Sequence, residues 1–185
     1  MISPTFVAQK IANVRDATES DIAAILPIYA HEVLHGLASF EEAPPSLNEM
    51  TVRWQGIVSA GFPYLVAELG ENIVGYGYVS TYRPRPAYRY CIENTVYVDK
   101  KYRGMGVGKA LLETLIARCE EGEWQQMVAV IGDTGNAGSR ALHQSLGFRE
   151  IGILSSVGFK LGRWVDSVIM QRPLGGKDQS HHDTS

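Results

Sequence analysis

The run Thr95-Val96-Tyr97-Val98-Asp99-Lys100-Lys101-Tyr102-Arg103-Gly104-Met105-Gly106-Val107-Gly108-Lys109-Ala110-Leu111-Leu112 constrains the fold more than any other part of this 185-residue chain. It reads as a β-branched strand, a short basic turn and three alternating glycines that open an amphipathic helix. Glycines at 104, 106 and 108 remove the Cβ atoms that would hold a ligand away from the backbone. The unpaired N–H groups of the following helix then point at whatever sits in the turn. This is an anion site, and a pyrophosphate would fit it.

Spacing narrows the choice of phosphate ligand. A nucleotide P-loop needs Gly five residues before a Gly-Lys-Ser/Thr, but Arg103 stands five before Gly108 and Ala110 stands where the magnesium-binding hydroxyl belongs. A dinucleotide fingerprint, Gly-x-Gly-x-x-Gly, fails as well: the third position counted from Gly104 is Lys109, and from Gly106 it is Leu111. What remains is Arg103-x-x-Gly106-x-Gly108 directly after a Val-Tyr-Val strand. That pattern resembles the acyl-coenzyme A loop of the GNAT superfamily of N-acetyltransferases. The resemblance implies that Arg103, Gly104, Met105, Gly106, Val107, Gly108 and Lys109 hold the coenzyme.

A net charge of −3 gives no global field for nucleic acid, so phosphate binding should come from the local cluster Lys100, Lys101, Arg103 and Lys109. Cys91 and Cys119 show no metal or disulfide spacing and read as buried thiols. No run approaches membrane-spanning length and the first residues lack a signal-peptide pattern, so a cytoplasmic protein without membrane or nucleic-acid partners is expected.

The length suits one domain at residues 13–174, with an N-terminal extension at 1–12 and a disordered polar tail at 175–185 in which His181 and His182 are solvated. A short strand is expected near residues 13–16. Thr18 with Asp21 caps a helix carrying Ile22, Ile25, Leu26, Tyr29 and Val33 to Gly36; Ser46 caps a second, with a stripe of Leu47, Met50, Trp54 and Ile57. Residues 64–68, 73–82 and 91–98 are rich in Val, Ile, Tyr and Thr and suit three successive antiparallel strands. After the glycine loop come a helix of about four turns, a buried strand at 127–131, a short helix at 139–146 and two closing strands at about 148–161 and 164–171.

The resemblance then narrows. Ser39-Phe40-Glu41-Glu42, Tyr82-Arg83-Pro84-Arg85-Pro86-Ala87-Tyr88-Arg89, Glu93-Asn94-Thr95-Val96-Tyr97-Val98, Leu142-His143-Gln144-Ser145-Leu146-Gly147-Phe148 and Val157-Gly158-Phe159-Lys160-Leu161-Gly162-Arg163-Trp164 are similar to the phosphinothricin and methionine sulfone N-acetyltransferases. The likeness covers nearly everything from residue 13 to 174. It implies an α/β (α+β) GNAT fold, a mixed, mostly antiparallel sheet of about seven strands with about four helices. It also implies acetyl-CoA as donor without a metal, an amino-acid-like acceptor and a homodimer. In such folds two central strands splay and the pantetheine arm enters the gap, with Val96, Tyr97 and Val98 as backbone partners.

Attack on a thioester needs a neutral amine, so the site should hold a proton acceptor near the acyl carbon. Glu93 lies inside an apolar strand, where a carboxylate is costly to bury without a purpose, and the family places a general base there. The alternative is a solvent-facing glutamate on an edge strand. His143 occupies the place where many relatives carry a tyrosine that protonates the leaving thiolate; a histidine satisfied by a backbone carbonyl is equally open. Asn136, with Ser139 beside it, would touch the pantetheine arm or simply cap a helix. Arg83, Arg85 and Arg89 offer forked donors to an anionic acceptor, with Phe40 and Tyr88 as an apolar wall; solvated arginines and core aromatics are the alternatives. Arg163 and Trp164 lie in a loop that would reach a dimer interface.

These residues together suggest acetyl transfer from acetyl-CoA to the α-amine of phosphinothricin, methionine sulfone, methionine sulfoximine or a similar amino acid. A GNAT enzyme for another small amine or a peptide N-terminus is the nearest alternative, and a non-catalytic acyl-CoA sensor the one from a different class.

Overall fold

A computed structural model describes residues 12–175; the expected extension and tail, with His181 and His182, lie almost wholly outside the described residues. The chain begins with β1 (Asn13–Asp16) and turns at Thr18, whose backbone N–H donates to Asp21 Oδ2 at 2.7 Å. Arg15 forks onto Asp21 as well and holds its carboxyl well below the usual range, at about 2. The turn leads into α1 (Ile22–His35), and α2 (Leu47–Ser59) follows with Ser46 Oγ accepting from Glu49 N–H.

The apolar runs of the middle then form β2 (Tyr64–Leu69), β3 (Asn72–Thr81) and β4 (Cys91–Val98), an antiparallel meander as expected. After the glycine loop come α3 (Val107–Glu120), β5 (Gln126–Gly132), α4 (Ala137–Ser145), β6 (Arg149–Lys160) and β7 (Arg163–Pro173). Strand order is β1-β2-β3-β4-β5-β7-β6, with one parallel contact, between β4 and β5. Glu93 therefore sits on a central strand, which removes the edge-strand alternative.

The sheet carries a core on each face. On one, Ile92, Met127 and Val168 pack under Leu111, Leu112 and Leu115 of α3; on the other, Tyr76 and Val66 pack under Ile22, Ile25 and Val33 of α1 and Met50 of α2. The stripe expected on α2 is only partly realised, because Leu47 is exposed. Helix α3 lies close to β3 because that strand presents glycine to it. A Cβ on Gly77 would come 3.0 Å from the Thr95 carbonyl and 3.1 Å from Leu115 Cδ1.

The β4–β5 pairing ends early. Residues 91–94 pair with 126–129, and beyond that the two strands continue without pairing. On the far edge β6 leaves Ile151, Leu154, Val157 and Phe159 exposed, with Trp164 of β7 beside them.

Gly77→Val should destabilise the protein by about 1–3 kcal/mol through overpacking between β3 and α3. Urea unfolding would report the loss; an unchanged midpoint would mean that α3 can shift outward freely.

Candidate active site

Strand main chains alternate sides, and two contacts set the phase in β4. The Cys91 carbonyl accepts from Tyr82 N–H, and Asp99 N–H donates to the Val74 carbonyl, so odd-numbered residues serve the β3 ladder. The peptide groups of Val96 and Val98 then face the gap left by β5. Those of Tyr97 face β3, which corrects the expectation that all three residues offer main chain to a ligand. Tyr97 instead contributes its ring, stacked on Tyr76 at 5.6 Å and edge-on to Tyr29 at 5.2 Å.

A cavity of about 780 Å³ occupies the gap and is lined by Glu93, Val96, Val98, Asn136 and His143 among others. At one end the loop between β4 and α3 closes it. Gly104 and Gly106 take φ of +76° and +82°, left-handed values that side chains resist, and a Cβ at either would meet nothing within 4 Å. That end of the cavity is therefore open to a ligand as well as rich in free helix N–H groups. Gly108 has a different reason: its Cβ would press Leu142 Cδ2 at 3.3 Å, so it lets α3 and α4 approach. Arg103, Val107 and Lys109 also line the cavity, whereas Met105 is exposed outside it. Arg103 is held by the buried Glu32 of α1 and donates Nε to the Val98 carbonyl at 3.4 Å. Lys109 pairs along its own helix with Glu113.

The gap passes through the sheet, so successive residues of β4 look onto opposite faces. Glu93 points to the α1 and α2 side. Burial pushes its pKa up, and Arg83 pulls it partly back. Asn94 points to α4, where His143 is buried against Phe148. Burial pushes the His143 pKa down, while the Ser139 carbonyl, 2.8 Å from Nδ1, pushes it up. A carboxylate with raised basicity and an imidazole titrating below its ordinary range thus face one cavity from two sides. Asn136 does cap α4, its Oδ1 accepting from Ser139 N–H at 3.2 Å, and it also lines the cavity, so the two readings of that residue coexist.

The other end is walled by Tyr29, Ser39, Phe40 and Glu41. Ser39 Oγ meets Tyr29 Oη at 3.0 Å and accepts from Glu41 N–H, and the Ser39 carbonyl accepts from the buried Lys160 Nζ at 2.5 Å. Phe40 packs on Gly158, where any Cβ would lie 2.5 Å from its ring. The β6–β7 hairpin therefore shapes this wall from outside. Arg83, Arg85, Tyr88 and Arg89 do not line the cavity. Arg83 lies over the Tyr82 ring at 5.0 Å, and Arg89 lies over Tyr90 at 4.6 Å and donates to the Pro86 carbonyl. Of that loop only Arg83 is felt by Glu93.

Sequence reasoning missed Asn94, Ser39, Lys160 and Glu32. A polar pair, Glu93-Asn94, inside an apolar strand was the available signal for the first. The others are joined to the site through long-range contacts that no local pattern announces.

Residues 27–148 match the Acetyltransferase (GNAT) family. Over 172 residues the chain is 51% identical to the phosphinothricin N-acetyltransferase of Alcaligenes faecalis, covering 93% of this chain and 87% of that one. It is 37% identical to the L-methionine sulfoximine/L-methionine sulfone acetyltransferase of Pseudomonas aeruginosa, covering 88% and 95%. The solved structure of a phosphinothricin acetyltransferase from Sinorhizobium meliloti in complex with AcCoA superposes with a TM-score of 0.86 at 45% identity, covering 89% of each chain. With the forked β4–β5 pair, the left-handed glycine loop and these likenesses together, the chain belongs to the GNAT family of acetyltransferases.

Proposed function

We propose that this protein transfers acetyl from acetyl-CoA to the α-amine of a small amino acid such as phosphinothricin, methionine sulfone or methionine sulfoximine. The observation that carries the reading is the single cavity that joins the glycine loop, the unpaired edge of β4 and Glu93. Acetyl-CoA supplies the acetyl group as a thioester. The helix N-terminus at residues 104–108, with Arg103, suits its pyrophosphate, and the Val96 peptide group and the Val98 N–H, which face the gap, suit an amide-bearing arm. Asn136 keeps its amide nitrogen for the same arm.

Glu93 takes the proton of the attacking ammonium, directly or through water; burial raises its basicity for that task. His143 returns a proton to the sulfur as the C–S bond breaks. The acceptor would enter from the α1 and α2 face, between Phe40 and Glu93, with Arg83, the cation that acts on Glu93, available to its anionic group. Arg85, Tyr88 and Arg89 would act on it only if their loop closes over the cavity. The names of the relatives support an amino-acid acceptor, and the basic loop disfavours a polycation.

The exposed apolar surface of β6, with Phe159 edge-on to Trp164 at 5.3 Å, is the face we assign to a homodimer. The co-substrate and two free thiols, Cys91 and Cys119, suit a reducing cytoplasm.

A panel of amines followed by free thiol release tests the acceptor: the sulfone, sulfoximine and phosphinic amino acids should react well ahead of lysine and spermidine, and the reverse order would overturn the assignment. Gly106→Val, forced into a left-handed backbone, should raise the acetyl-CoA Kd at least about 10-fold in calorimetry while the circular dichroism stays unchanged. Glu93→Gln should lower kcat by about 10²-fold or more and flatten the acidic limb of the pH profile. Arg83 stabilises the Glu93 carboxylate, so Arg83→Ala should raise the Glu93 pKa further and shift that limb to higher pH, while raising the acceptor KM. Trp164→Glu should convert a dimer to monomer in light scattering; a wild-type monomer would refute the interface.

A further inference from the structure

Asn94 is the last β4 residue with a ladder partner on β5, and its side chain is buried on the α4 face. Its carboxamide joins three elements. Nδ2 donates to the Val128 carbonyl at 3.1 Å, and Oδ1 lies 3.0 Å from His143 Nε2. Turning the amide over would set Oδ1 against the Val128 carbonyl, acceptor against acceptor. The β5 backbone therefore fixes which end of the amide His143 meets. The other ring nitrogen, Nδ1, lies 2.8 Å from the Ser139 carbonyl and 3.5 Å from the Ser139 hydroxyl. Each carbonyl-type oxygen calls for an N–H opposite it, and only the doubly protonated ring carries both.

Burial works against that charge, since His143 is only 5% exposed. Charged neighbours on the elements packed around the ring are engaged elsewhere. Glu93 looks onto the opposite face of β4. Arg140 of α4 takes the Thr134 carbonyl and Glu150 of β6, Lys109 of α3 pairs with Glu113, and Arg172 of β7 takes the Leu146 carbonyl and Glu120. Burial is the larger effect and leaves the ring titrating below its ordinary range, and the two neutral oxygens, from Ser139 and Asn94, oppose it.

We propose that Asn94 is a positioning residue for proton delivery: anchored to the β5 backbone, it presents a fixed oxygen to His143 Nε2 and keeps a proton there for the leaving sulfur. This rests on His143 as the proton donor. In the step, the C–N bond to the acceptor forms and the C–S bond breaks with its electron pair passing to sulfur. Sulfur takes the Nε2 proton; Glu93 passes the first ammonium proton on to solvent before attack and takes the second from nitrogen as the amide forms. The ring is then neutral, with N–H on Nδ1 toward Ser139 and a bare Nε2 facing Asn94 Oδ1. Lone pairs oppose each other in that state, which favours recovery of a proton from solvent before the next turnover.

The test is the titration of His143 in the full-length protein, read from its ring nitrogens by 15N NMR, beside the pH profile of kcat. Asn94→Leu should lower the His143 midpoint by about one pH unit or more, and the alkaline limb of kcat should move down with it while the acetyl-CoA KM changes less. Asn94→Asp should move both upward. If Leu prevents folding, Asn94→Ala removes the same oxygen without added bulk. Coincident midpoints in wild type and in the Leu or Ala variant would overturn the role of Asn94, even if His143→Ala abolishes the alkaline limb and so upholds the donor. An alkaline limb that survives in His143→Ala would overturn the donor reading, and the delivery role with it, whatever the Asn94 variants do to the ring.

Discussion

The parting of β4 from β5 after residues 94 and 129 is the constraint on which the rest of the molecule depends. A sheet normally satisfies every interior peptide group, and leaving a central strand half-unpaired costs free energy that the surrounding packing must offset. Here both ends of the opening are braced. Asn94 clamps the closed end through the Val128 carbonyl. At the open end, Arg103 bridges from the glycine loop to Glu32 of α1 and to the Val98 carbonyl. Continuous α3 packing on β2, β3 and β4 keeps the near side of the fork rigid, so the opening is a fixed slot.

That slot also explains how one α-helix serves two distant sites. The C-terminal turn of α1 carries Glu32, whose carboxylate holds Arg103 and whose carbonyl is 3.4 Å from Lys160 Nζ. Lys160 in turn holds the Ser39 carbonyl. The glycine loop and the cavity wall at residues 39–41 are thus fastened to the same helix end, where the buried ammonium shares the Glu32 carbonyl with the Gly36 N–H.

Much of this was legible in the chain. Every strand and helix anticipated from periodicity appears within a few residues of its expected bounds, because the runs at 64–69, 72–81 and 91–98 combine β-branched residues with clear turn punctuation. Gly104 and Gly106 were legible because only glycine is at ease where φ is positive. The arginine loop was less so: side chains at 83, 85 and 89 look alike in sequence, but only Arg83 lies close enough to act on Glu93, the others following the local 3-10 turn at Pro86–Tyr88. Lys160 was invisible because its partners are 121 and 128 residues away.

Glu93 and Asn94 are neighbours in the chain and strangers in space. A strand turns consecutive side chains to opposite sides, so two adjacent residues approach one cavity from opposite faces of the sheet, one bringing a carboxylate and the other holding an imidazole. Slippage of β4 by a single position would exchange the two and dismantle both. The unbroken seven-residue register of β4 against β3, from Gly75 opposite Val98 to Thr81 opposite Ile92, is therefore as much a part of the chemistry as either side chain.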